Sequence, residues 1–244
     1  MYITKGKGRH YIDFKPYEYS QGSILFISCG QVHAFDVNLE TDGFVLLFTE
    51  KFLTKNLIHS DTLTLSRFYN YHLYPPDIPP LPTSIPVFNP IINEIYNEFI
   101  FVDTFAKEEM LRTLLKLLLL KAERIKRTLA PKEKNSEWII KFSEFRKLLS
   151  KHFTETRNAE DYANMMTISY NHLNKITKST TGSTAKAFID NFIILEIKRQ
   201  LAISDISVKE LTYLMGFDEP TNFAKYFKKH TLYSPAQFRN TLKN

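Results

Sequence analysis

Asparagine and lysine side chains recur on two short segments at spacings that bring them onto common faces. From Pro220 to Lys229, Asn222, Lys225 and Lys229 fall largely on one side, while Phe223 and Phe227, four residues apart, share another. From Tyr170 to Lys178, Asn171, Asn174, Lys175 and Lys178 share a face, and Leu173 and Ile176 point the other way. The chemistry open to such faces is hydrogen bonding to nucleic-acid bases. A carboxamide pairs bidentately with adenine, and an ammonium reaches guanine acceptors. Asn171, Asn174, Lys175, Thr221, Asn222 and Lys225 are therefore candidates for base edges, and Tyr170 for a thymine methyl or a sugar. Lys178, Lys228 and Lys229 suit phosphates, which hold a protein in place without reading sequence. The plainer reading of each is a solvated surface side chain.

These faces need helices held at a steep angle. Val208–Met215 reads as a short helix, Gly216 as the left-handed residue that ends it, and Asp218 as the N-cap of the next helix, with Pro220 in its first turn. Ser234 to Arg239 forms a third helix that pins the pair. The same plan precedes it: Ala159–Met166 is a helix, Thr167 to Ser169 a turn with Ser169 as N-cap, and Tyr170–Lys178 a second helix. Between the two motifs Ser183–Ile203 is strongly apolar and about 30 Å long as a helix. Successive major-groove faces of B-DNA lie about 34–36 Å apart, so this rod can set two recognition helices roughly one turn apart. Glu137–His152 is a further amphipathic helix.

Gly-Phe-Asp at 216, Asn-Phe-Ala-Lys-Tyr-Phe-Lys-Lys from Asn222 and Ser-Pro-x-x-Phe-Arg from Ser234 resemble the C-terminal signature of AraC/XylS-type transcription regulators. Ser169-x-x-x-Leu-x-Lys-Ile-x-Lys-x-x-x-Gly182 resembles that family's first motif. Thr177 stands where an aromatic is common. Ile193 stands near a position where many members carry an Arg, which predicts a changed contact network around the connecting helix. The resemblance implies sequence-specific binding of double-stranded DNA, a small-molecule effector, a homodimer and RNA polymerase as partners.

Composition agrees with an anionic partner. The 244 residues carry a formal charge of +6. Up to Asn135 there are 16 Lys/Arg against 15 Asp/Glu, and from Ser136 onward 16 against 11, so the excess lies with the two motifs. Cys29 is the lone cysteine, which excludes an intrachain disulfide and a Cys-based zinc cage. Together with an opening that lacks an apolar signal core and a longest apolar run too short for a membrane span, it fits a reducing cytoplasm as the expected location, and the resemblance implies the bacterial nucleoid within it. No Ser-His-Asp order or paired carboxylates force a catalytic reading, and seven glycines leave little room for a nucleotide loop. No enzyme activity and no cofactor are expected.

The first fifty residues read as short strands at Tyr2–Thr4, His10–Phe14, Ser23–Ser28, Val32–Phe35 and Gly43–Phe48, mostly separated by Gly or Pro. Ile12-Asp-Phe, Gly22-Ser-Ile-Leu-Phe-Ile and Gly30-Gln-Val-His33 resemble the cupin-like sensor half of many of these regulators, shortened here at its front. Phe14, Phe26, His33, Phe35, Phe44 and Phe48 are candidates to line a ligand pocket, and plain core is the other reading of the aromatics. His10 and His33 are too few ligands for a metal site. Pro75 to Pro86 holds six prolines and reads as loop; Asn89-Pro90 opens a helix, and a second helix covers 107–129. Its wide leucine face serves either a homodimer seam or packing within the chain.

The expected class is α+β: a small antiparallel, cupin-like domain with packed helices over 1–130, a linker over 131–136, and an all-α domain of two helix-turn-helix motifs joined by a long helix over 137–244. A regulator without ligand sensing and a cupin-type metalloenzyme are the alternatives. Metal content and ligand-dependent melting separate them.

Overall fold

The computed structural model describes residues 1–36, 40–55, 75–81, 84–102, 105–129 and 136–242. The chain divides into two compact units, Met1–Glu133 and Lys134–Asn244. Of the linker expected over 131–136, residues 131–135 lie outside the described residues, and Ser136 is already the first residue of a helix that runs to His152.

Two antiparallel sheets build the first unit. One has the order β6-β1-β4-β7, with β1 at Tyr2–Lys5, β4 at Ile24–Leu25, β6 at Asp42–Phe44 and β7 at Asp77–Ile78; the other is β3-β2-β5, with β2 at Lys7–Ile12, β3 at Lys15–Ser20 and β5 at His33–Phe35. Ile3 and Leu25 of the first sheet pack with Tyr19 of the second. α1 (Glu50–Thr54), α2 (Ser84–Ile100) and α3 (Lys107–Leu129) follow, and α2 and α3 lay Phe88, Ile92, Leu115, Leu118, Leu119 and Ala122 against Tyr2, Ile24 and Ile78.

Three local expectations are corrected. Asp13 and Phe14 have φ of 50° and 66° and form the two-residue turn of the β2–β3 hairpin, so Phe14 is not a strand residue. Pro16 does not separate strands but sits inside β3, which lies at a sheet edge where a missing N–H breaks no ladder. α2 starts at Ser84, not at Asn89, and carries Pro86 in its first turn and Pro90 within it. α3 has the bounds expected for it. It turns Leu115, Leu118, Leu119 and Ala122 inward and leaves Met110, Leu117, Leu120 and Leu129 exposed.

The second unit is all helix: α4 (Ser136–His152), α5 (Ala159–Met165), α6 (Tyr170–Thr181), α7 (Ala185–Ile203), α8 (Val208–Leu214), α9 (Pro220–Thr231) and α10 (Pro235–Thr241). Phe142, Phe145, Tyr162 and Phe188 meet edge to face or tilted at 5.0–6.2 Å between centroids, tying α4, α5 and α7 together. Among the described residues no helix is long and apolar enough to cross a membrane.

Candidate nucleic-acid interface

The two helix pairs are copies of one another in detail. In the first, Met166 N donates to Tyr162 O, Thr167 N to Asn164 O and Ile168 N to Ala163 O; in the second, Met215 N donates to Leu211 O, Gly216 N to Tyr213 O and Phe217 N to Thr212 O. The offset is 49 residues. After the turn it is 50, because the second turn is one residue longer: Ser169 caps α6, whereas the cap of α9 is Glu219. Asp218 is thus not the N-cap. Glu219 makes no side-chain capping bond, and Pro220 at the helix start removes one of the N–H groups in need of a partner. The match continues past the helices. Thr181 and Thr231 accept from the N–H two residues on, and Thr184 and Ser234 cap α7 and α10.

This repeat places the candidate residues. Lys175 corresponds to Lys225 and Lys178 to Lys228, and all four are exposed. Ser169, Tyr170, Asn171, Thr221, Asn222 and Lys229 are exposed as well. Beneath them Leu173, Ile176, Phe223 and Phe227 have no accessible surface. Burying such side chains stabilises each motif by about 1.5–3 kcal/mol apiece, which fixes the angle at which the polar face is presented. Thr177 holds the place that Phe227 holds in the second motif. It is fully buried, and its hydroxyl donates back to Leu173 O.

Asn174 differs from its neighbours. It is half-buried, and its carboxamide oxygen accepts from Ala185 N at 2.9 Å, at the start of α7. That oxygen holds two helices together, which leaves only the amide NH2 for a base. Nothing in its spacing signals this, because the partner lies eleven residues on.

Around α7 the polar contacts come from another residue than Ile193. Ile193 is fully buried, and Asp190 on the same helix accepts from Tyr226 Oη at 2.8 Å and pairs with Lys186. Burial and the bond to Asp190 raise the Tyr226 pKa, so the phenol stays neutral and donates. Burial likewise pushes Tyr162 up to about 12, and its hydroxyl donates to Thr156 O.

A helix-turn-helix domain family matches residues 162–241. Residues 162–241 form an AraC-type helix-turn-helix domain. The transcriptional activator RhaS of Yersinia pestis (strain Pestoides F) is 28% identical over 94 residues, 38% of this chain and 34% of that protein, and RhaS of Yersinia pseudotuberculosis serotype O:1b matches to the same extent. The chain spans about a third of the length of the curated relatives it matches. A solved structure of ToxT from Vibrio cholerae is similar over 100% of this chain and 92% of that one, at 15% identity and a TM-score of 0.50. The α+β architecture, strands in the first unit and paired helix-turn-helices in the second, is shared with that structure.

In the first unit the six pocket candidates do not surround one space. Phe44 and Phe48 line an apolar cavity of about 590 Å³ with Phe52, Ile95, Tyr96 and Leu115, between the segment after β6 and the helices α2 and α3. Phe26 and Phe48 border a smaller void of about 90 Å³, with the Lys126 ammonium 4.4 Å from the Phe26 ring centroid. Phe35 packs edge-on against His10 at 4.3 Å, and His33 Nδ1 lies 3.2 Å from His10 Nε2. His10 is fully buried; burial first and the charge of His33 second lower its pKa to about 4. Among the described residues no three His, Cys, Asp or Glu side chains cluster as a metal would require.

Proposed function

We propose that this protein is a sequence-specific DNA-binding transcription regulator whose α6 and α9 enter successive major-groove faces of one duplex. The observation that carries the reading is the repeat itself: two motifs with equivalent turn hydrogen bonds present two matching pairs of lysines outward over fully buried supports. Asn171, Lys175, Thr221, Asn222 and Lys225 reach base edges, with Tyr170 beside them and one amide face of Asn174 available. Lys178, Lys228, Lys229 and the Ser169 end of α6 meet phosphate. α7, with 19 residues, is about 28 Å long and acts as the spacer. Selection of bound sites from random duplex DNA is the test. Recovery of a two-part site about ten base pairs from centre to centre is the expected result, with affinity falling steeply as salt rises. No preference over scrambled competitor defeats the reading.

The reading extends to the first unit as sensor and dimer element. The 590 Å³ cavity falls in the size range of small-molecule sites, and its apolar lining suits a hydrophobic effector. A compound of that kind should raise the melting temperature; if no apolar library member does, regulation is ligand-independent. Exposed Leu117 and Leu120 on α3, behind the inward face, supply a homodimer seam. Sedimentation should show a dimer that Leu117→Glu with Leu120→Glu dissociates. RNA polymerase is the partner on which a regulator of this kind acts, and we assign no surface to that contact.

A further inference from the structure

The second turn is held from outside its own motif. An ideal Cβ at Gly216 would stand 1.8 Å from the carbonyl oxygen of Thr154, in the segment between α4 and α5. Three residues on, Arg157 Nη2 donates to Met215 O at 3.1 Å and to Gly216 O, and its Cζ lies 3.6 Å from the centre of the Phe217 ring. The two carbonyls close the C-terminal end of α8, where acceptors lack helical partners and the helix dipole favours a cation. One guanidinium nitrogen donates to both carbonyls while the planar group lies on the Phe217 ring, a stacking surface that an ammonium lacks.

The segment carrying Arg157 belongs to the first motif. Thr156 bonds Asp161, Thr156 O accepts from Tyr162, Asn158 caps α5, and Phe153 packs on Phe192 of α7 at 5.6 Å. The clamp has no counterpart in the repeat, where Ile206 occupies the matching place before α8. α7 ends at Ile203 and the chain is not helical from Ser204 to Ser207, so the rod does not run on into α8 and meets the second motif from the side, with the Lys198 ammonium 5.4 Å from the centre of the Phe238 ring. The Tyr226–Asp190 bond and Arg157 grip that motif on two different elements.

We propose that Arg157 is a positioning residue for DNA binding: it clamps the second turn onto the segment that opens the first motif, and so sets the angle between the two recognition helices. This rests on the two-groove reading above, but its first test does not need DNA. In the full chain with Cys29→Ser, spin labels at Ser179→Cys and Lys229→Cys report the spacing of α6 and α9. The unsubstituted Arg157 protein should give one narrow distance population. Arg157→Gln should broaden or split it, and Arg157→Lys, which keeps charge but loses the plane stacked on Phe217, should fall between. On the selected duplex, scrambling one half-site should cost the protein with Arg157 at least tenfold, but the Arg157→Gln form less than threefold, with single half-site affinity within twofold. An unchanged distance distribution, or equal losses on both duplexes, overturns the proposal. If no duplex is selected at all, the two-groove reading falls, while the distance measurement still decides the clamp. Should Arg157→Gln melt below the working temperature, Arg157→Lys carries both readouts.

Discussion

The two helix-turn-helix motifs solve one backbone problem with their special residues exchanged. Each needs a left-handed residue in the turn and another just past the second helix. The first uses Thr167 in the turn, at φ 54°, and Gly182 after α6, at φ 79°. The second uses Gly216 in the turn, at φ 70°, and Leu232 after α9, at φ 69°. Left-handed backbone costs a residue with a Cβ about 1–2 kcal/mol, so either arrangement is affordable on conformation alone. What differs is the surroundings. A Cβ at 216 meets the Thr154 carbonyl, whereas a Cβ at 182 meets nothing within 4 Å. Glycine in the second turn is therefore a requirement of close packing against the Arg157 segment, and glycine after α6 is only a relief of strain.

The largest effect expected from this contrast is at Gly216. Gly216→Ala must displace backbone, since the blocking atom is a carbonyl oxygen, and should cost about 4 kcal/mol or more. Gly182→Ala should cost about 1 kcal/mol, from φ alone. Urea unfolding of both variants measures the difference. Equal losses would mean that the Thr154 contact yields easily and that the motifs do not differ as described.

Next comes the pair of equivalent lysines. Lys175→Ala and Lys225→Ala should each lose about 1–3 kcal/mol of discrimination at one base pair, in different halves of the site. Lys178→Ala and Lys228→Ala should weaken all sequences alike and lower the salt slope by about one. If Lys225 behaves like Lys228, the second motif grips without reading at that position, and the functional symmetry of the repeat is broken.

The contrast between motifs also shows what the residues disclose unaided. The helix at 107–129 has the expected bounds because its apolar residues recur at helical spacing, and that at 185–203 is set within two residues because a long, nearly unbroken apolar run follows the Thr184 cap. Gly216 is legible because its neighbours form a known turn chemistry. The start of α9 is missed by one residue because Asp218 is the better capping side chain, yet the longer turn brings Glu219 to the cap. In the first unit, strands of two to six residues are too short for their period to show, and an Asp13-Phe14 turn without glycine gives no turn signal. Pro86 reads as loop and Pro90 as a helix start, yet Pro86 sits in the first turn of α2, where a proline costs little, and Pro90 lies within the helix. Asn174 and Arg157 lie beyond any such reading: what they do depends on partners 11 and 58–59 residues away.

The caps give a smaller effect. Ser169 accepts from His172 N at 3.2 Å, so Ser169→Ala should cost about 1 kcal/mol. Glu219 makes no such bond, and Glu219→Ser should gain up to about 1 kcal/mol by adding one. The two variants should shift the urea midpoint in opposite directions.

The smallest expected effect is at the exchanged glycine. Leu232 is 85% exposed, so its side chain contributes little packing, while its backbone has the left-handed φ that glycine adopts freely. Leu232→Gly removes that strain but gives the unfolded chain more freedom, which offsets part of the gain. A net stabilisation of about 0.5 kcal/mol is expected, a rise of a few degrees at most in the melting temperature. The reciprocal Gly182→Leu should lose about 1 kcal/mol, because it imposes the same strain with open space around it. If Leu232→Gly instead destabilises while leaving the helices intact, the Leu232 side chain has a partner on its exposed side, and the motif keeps it for contact rather than tolerating it.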